Sequence, residues 1–186
     1  MAKTKIARHY NTKENPISPM VQANIARGMD TLQAMRSAML ERAPWAASHS
    51  GFDGDVLEMA VSYYCTHRVK SGIRSGEIDM KSRRWGKVEI KSACGELPTG
   101  NFDTVLYCPE VDYNKPLVAQ VVVFTRDEWE AFLSGYEGRG AFLRVDSERG
   151  KMHIQSFRSA GRPKASKPIR EYIDAVCSGQ PKLEDF

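Results

Sequence analysis

The sequence predicts an α/β (α+β) fold in which helices flank a central mixed β-sheet. Two observations carry that expectation. Apolar residues recur at helical spacing through residues 19–43 and 55–69, then give way to short strand-like stretches between about 76 and 125. A helical stretch with its own start signal, "TRDEWEAFLSG", follows those strands, so helices precede and follow the sheet. At 186 residues, 41% hydrophobic and 27% charged, the chain suits one domain over 1–186. Its core is expected at about 54–135, with an N-terminal helical arm at 1–45 and a C-terminal hairpin and helix at 140–186.

Each element has a local reason. Residues 1–18 read as an irregular arm. "SPMVQANIARGMDTLQAMRSAMLERAP" reads as one helix, with Ser18 as N-cap, Pro19 at the first helical position and Pro44 as its stop. Gly28 is expected to weaken or kink its middle. After a turn at "HSGFDG", "DVLEMAVSYYCTHRV" is a second helix, with Asp55 as a candidate N-cap, and Gly72 ends it. Strands are expected at roughly 76–81 and 86–93, followed by a loop at "GELPTGN". "DTVLYCPEV" and "LVAQVVVFT" are further strands, the second apolar enough to be central. Thr125 and Glu128 form a capping-box pattern for the next helix, and Gly135 ends it. "GAFLRVDSERGKMHIQSF" reads as a hairpin turning at "SERG", and "SKPIREYIDAVCSG" as a last helix.

Composition narrows the function. No apolar run approaches the ~20 residues that span a bilayer, and the basic start lacks the apolar stretch of a secretion signal. A soluble cytoplasmic protein is the expectation. Cys65, Cys94, Cys108 and Cys177 are too scattered for a zinc, redox or iron–sulfur motif, so free thiols are expected. His67 and His153 have no partners at metal-ligand spacing. "GYEGRG" follows a helix and lacks the lysine of a phosphate cradle, so it reads as a turn. The formal net charge is +4, but the charge is clustered: residues 66–91 hold eight Lys/Arg against three acids, and "RSAGRPKASKPIR" holds no acid. Such clusters can meet phosphates.

The stretch "EIDMKSRRWGKVEIKSACGE" concentrates the chemistry. Strand side chains alternate between faces, so Glu89 and Lys91 leave one face and Ile90 the other. The short "SRRWG" connection makes the two strands antiparallel neighbours and sets Asp79 across from Glu89. Two carboxylates suit Mg²⁺, an oxygen-seeking ion that polarises a phosphate and activates water. The Ile90 carbonyl can face the same ion, and Lys91 can orient the water or meet developing negative charge. The competing reading is a cross-strand ion pair on an ordinary hairpin. Arg83, Arg84 and Lys87 lie in or beside the turn, where they could grip a nucleic-acid backbone. Trp85 reads as a turn residue covering the core edge. "GRPK" contributes Arg162 and Lys164 as a basic loop that can touch DNA.

Asp79, then Glu89-Ile90-Lys91-Ser92, resembles the signature of the PD-(D/E)XK nuclease superfamily, the restriction-endonuclease-like group. Ile78 stands where that pattern often has proline. The resemblance covers residues 54–135, a little under half the chain, where helix, hairpin, strand and helix follow in the superfamily's order. It implies a Mg²⁺-dependent DNA endonuclease, with Mn²⁺ able to substitute. Asp79, Glu89 and Ile90 would hold the metal and Asp79, Glu89 and Lys91 the chemistry. It also implies an acid on the preceding helix. Glu58 is the candidate, with a capping role beside Asp55 as its alternative, and Glu77 is a weaker understudy. Restriction enzymes, junction resolvases and mobile-element nucleases are the classes implied, and a restriction-type homodimer cutting both strands is the expectation. The alternatives are a non-catalytic nucleic-acid-binding protein with the same fold and a protein whose hairpin charges are structural.

Overall fold

The computed structural model describes residues 16–49, 51–67, 72–74, 79–92, 96–98, 101–135, 141–146, 151–156 and 167–186. Gly28 divides the first expected helix in two, α1 (Ser18–Ala26) and α2 (Thr31–Arg42). Gly28 takes φ +93°, and its N–H and that of Met29 donate to the Ile25 and Asn24 carbonyls. That pairing is a glycine-terminated helix end, which cannot continue as α-helix. Asp30 then caps α2: its Oδ1 accepts the Leu32 N–H at 2.9 Å and also the Leu117 N–H at 3.0 Å. The break is therefore tied to a distant loop. The N-cap of α1 is Ile17 rather than Ser18, with Pro19 in the first turn as expected.

A 3₁₀ turn (Pro44–Ser48) leads into α3 (Phe52–His67). This helix begins three residues earlier than expected. The Asp55 N–H already donates to the Gly51 carbonyl, so Asp55 lies inside the first turns rather than at the cap. Glu58 is then not the third residue after a cap, which removes the capping reading for it.

Five strands form the main sheet in the order β1 (Gly72–Arg74), β2 (Met80–Ser82), β3 (Gly86–Ser92), β5 (Thr104–Cys108), β6 (Val122–Thr125). The β3–β5 pair is parallel and the others are antiparallel, so the sheet is mixed. Every residue of β5 is buried. Val88, Ile90, Leu106, Cys108 and Val123 join one apolar cluster with α1, α2 and α3. Val105, Tyr107, Val122 and Phe124 join a second with Trp129, Phe132 and Leu133 of α5 (Arg126–Ser134) and Ile173 and Cys177 of α6 (Lys167–Ser178). Alternation along each strand thus feeds two helical layers. The capping box of α5 forms as expected between Thr125 and Glu128.

Three expectations differ. Gly72 opens β1 rather than ending a helix. The "LVAQVVVFT" stretch splits into a one-turn helix, α4 (Leu117–Gln120), and β6, which ends the sheet rather than centring it. Residues 181–183 cover the outer side of β6: the Val123 N–H donates to the Pro181 carbonyl and the Leu183 N–H to the Val121 carbonyl, both at 2.8 Å. This cover explains how an edge strand can be so apolar. The "GELPTGN" loop contains β4 (Glu96–Pro98), which pairs with β8 (Lys151–Ser156) beside β7 (Ala141–Asp146) in a three-stranded antiparallel sheet. The β7–β8 pairing is the expected hairpin, and its turn lies outside the described residues. No described helix is long and apolar enough to cross a membrane.

Candidate metal and nucleic-acid site

The site is built on the β2–β3 hairpin. Met80 faces Val88, Lys81 faces Lys87 and Ser82 faces Gly86. The turn is set by side chains on both sides of it. The Ser82 Oγ accepts the N–H groups of Arg84 and Trp85 at 3.1 and 3.2 Å. Gly86 takes φ +67°, and a Cβ there would run into the Asp103 carboxylate. That carboxylate accepts the Lys87 N–H at 2.8 Å, and the Thr104 hydroxyl donates to the Trp85 carbonyl at 2.9 Å. The start of β5 thereby fixes where β3 begins. Trp85 is buried at the core edge, as expected, with its ring edge-on to Phe186 at 5.5 Å.

With that register, Asp79 comes level with Glu89. The Asp79 Oδ2 accepts the Ile90 N–H at 2.8 Å. In a strand, the N–H and C=O of one residue share an edge, so the Ile90 carbonyl lies on the Asp79 side while its side chain is buried. The Lys91 Nζ stands 2.9 Å from the Glu89 Oε2 and 3.8 Å from the Asp79 Oδ2. The three side chains are only 10% (Asp79), 16% (Glu89) and 24% (Lys91) exposed, so solvent screens them weakly.

Burial pushes the Glu89 carboxyl above its usual range. The Lys91 charge pulls it down and the Asp79 charge adds to the rise. For Lys91, burial is the largest influence and disfavours the ammonium. The charges of Asp79 and Glu89, the Glu89 hydrogen bond and the charge of Glu58 together outweigh it and hold the amine above the ordinary lysine range. The cluster is two half-buried carboxylates around one ammonium. Glu58, half-buried on α3, joins it through its field. Among the described residues, no three or more His, Cys, Asp or Glu side chains gather in a metal-holding group, so Glu58 does not close a triad with Asp79 and Glu89. The oxygen donors offered are the two carboxylates and the Ile90 carbonyl edge. Such a set fits Mg²⁺, which takes oxygen ligands and retains waters.

The basic candidates separate. Arg83 is exposed in the turn. Arg84 is engaged: its Nη1 donates to the Phe186 carbonyl oxygen at 3.1 Å and its guanidinium lies 5.3 Å from the Phe186 ring centre. Lys87 is half-buried on the Glu89 face. Glu77, Arg162, Lys164 and Cys94 lie outside the described residues. His67 stacks on Tyr63 at 4.2 Å, a packing role. Cys65, Cys108 and Cys177 are free and buried. Two residues that shape the site escaped the sequence reading. Lys81 is the direct cross-strand partner of Lys87, and Asp103 holds the turn; only Lys81 carried a signal, since a hairpin turning at 83–85 pairs it with Lys87.

Compared with known proteins, the chain matches no family model, no curated protein and no solved structure.

Proposed function

We propose that the chain is a Mg²⁺-dependent DNA endonuclease with a restriction-endonuclease-like core of the PD-(D/E)XK type. The observation that carries this reading is the meeting of Asp79, Glu89 and Lys91 at one edge of β3, with the Asp79 carboxylate on the Ile90 N–H. The order α3, hairpin, parallel β5, β6 and α5 supports it. Asp79, Glu89 and the Ile90 carbonyl would hold Mg²⁺, or Mn²⁺ in its place. The ion would supply charge neutralisation at the phosphate and a more acidic bound water. Lys91 is held as a cation beside both acids. It is placed to orient the attacking water and to meet negative charge developing on the phosphate. Glu58 adds to the field that keeps Lys91 protonated, which makes it a positioning residue for the ammonium. Arg83 and Lys87 would take backbone phosphates, with Arg162 and Lys164 as further contacts, while Arg84 reaches DNA only by leaving Phe186. A homodimer would bring two such sites to the two strands.

The test incubates supercoiled and linear DNA with the full chain in Mg²⁺, in Mn²⁺ and in EDTA. The wild type is expected to cut in either metal and not in EDTA. Lys91→Ala is expected to lose at least ~100-fold in rate, the scale of removing one preorganised charge-stabilising group. Cleavage that survives EDTA or Lys91→Ala overturns the mechanism. A second reading is a non-catalytic nucleic-acid-binding protein. The observation that favours it is the ammonium already seated on Glu89 at 2.9 Å, which offsets one of the two carboxylate charges a metal would otherwise meet. Binding of several DNA forms with no cleavage in either metal would select it.

A further inference from the structure

We infer that Lys81 and Lys87 form a clamp for the DNA phosphate next to the one placed at Asp79 and Glu89. The inference rests on the nuclease reading and adds residues and a direction to it. The register sets Lys81 directly across from Lys87. Like charges in direct cross-strand opposition destabilise a sheet. Neither lysine has a carboxylate partner among the described residues. The near carboxylate, Asp103, is bound to the main-chain N–H of Lys87. Lys81 is exposed, and Lys87 is half-buried along the strand. An uncompensated pair of this kind lacks an anion.

The position of the pair indicates which anion. Lys87 is two residues before Glu89 and leaves the same face, and Lys81 is two residues after Asp79 on the neighbouring strand. The lysine pair therefore lies roughly 7 Å along the ribbon from the acid pair, on the turn side. That is the scale of one step between neighbouring phosphates in a strand. Two carboxylates with a single internal ammonium repel a phosphodiester, whereas a lysine pair one step away attracts it. The backbone would run along the hairpin, with Lys81 and Lys87 holding one phosphate and the next presented to Asp79, Glu89 and Lys91. Arg83, in the turn beyond, continues the line.

The experiment measures binding of a fluorescent DNA duplex to the full chain in EDTA, across a salt series. It compares the wild type with Lys81→Gln, Lys87→Gln, the double variant and Lys81→Arg, and records a thermal melt of each. The clamp predicts that the double variant weakens binding to every sequence alike and that the slope of log affinity against log salt becomes shallower by about 1. Lys81→Arg retains binding, and inorganic phosphate at matched ionic strength does not compete more than chloride, which separates a backbone site from a free-phosphate site. Lys81→Gln melts at or above the wild-type temperature, because a repulsion has gone. An unchanged affinity and slope in the double variant overturns the clamp. So does a drop in melting temperature large enough to account for the lost binding. A wild type that binds with this lysine-dependent slope but never cuts in Mg²⁺ overturns the nuclease reading and leaves the clamp. Cleavage with lysine-independent binding does the reverse, and no wild-type binding at low salt overturns both.

Discussion

Asp79 has two separable duties. Its carboxylate satisfies the Ile90 N–H at 2.8 Å, and it shares the Lys91 charge with Glu89. Asp79→Asn can keep an oxygen on the Ile90 N–H, whereas Asp79→Ala leaves that half-buried donor without its partner. The expected outcome is that Asp79→Ala lowers stability by about 1–3 kcal/mol and Asp79→Asn by clearly less, while both lose metal-dependent cleavage. Denaturant melts paired with the plasmid assay measure this. Equal, large losses of stability in both variants would mark the carboxylate's charge as part of the scaffold. The spacing of Asp79, Glu89 and Lys91 was legible in the sequence because strand alternation and a short connection leave few registers. That Lys91 rests on Glu89 was not, because it depends on how far the amine reaches under partial burial.

At the level of elements, the hairpin owes its register to groups outside it. Gly86 combines a positive φ with a contact to Asp103 that leaves no room for a Cβ. Gly86→Ala is expected to destabilise by about 2–4 kcal/mol, the sum of left-handed backbone strain and crowding. Asp103→Ala in the same chain should return part of that loss, since the two positions share one contact. A loss under about 0.5 kcal/mol for Gly86→Ala, the level of an indifferent surface change, would show that the turn does not depend on this clamp. The α5 capping box was readable because Thr125 and Glu128 are local partners. The interruption of the first helix was legible in Gly28, but the Asp30 cap that also bridges to Leu117, 87 residues away, was not. Strand β4 was missed for the same reason: its partner β8 lies far along the chain, and "GELPTGN" by itself has the composition of a loop.

For the whole molecule, three thiols report on the core. Burial raises Cys65, Cys108 and Cys177 from 9.0 to about 12. For Cys108 a main-chain hydrogen bond at Glu110 opposes part of that rise. A raised thiol pKa favours the neutral form in the folded state. The stability tied to it is complete below pH 9 and is lost as pH rises toward 12. The melting temperature should therefore fall across that window, and fall less steeply in Cys65→Ala. In a Cys94→Ala chain, a thiol-reactive chromophore should label these three thiols slowly at pH 8 in the native state and quickly once the chain is denatured. Fast native labelling of all three would mean that the core opens readily. The two apolar clusters on either side of the sheet were legible as strand alternation and helical periodicity. How the far edge of the sheet is finished was not.

That far edge sets an order of events. Val122 and Lys182 pair although they stand sixty positions apart, so the seam along β6 closes only after the hairpin and α6 have been brought round. Contacts of such long sequence separation form late in folding. Until then β6, with its apolar residues, is an unpaired template for any passing strand. The vulnerable moment for this protein thus falls between the formation of the β2–β3–β5–β6 sheet and the arrival of residues 181–183. The rate of that last closure, more than the strength of the finished fold, would decide how much of the chain escapes aggregation.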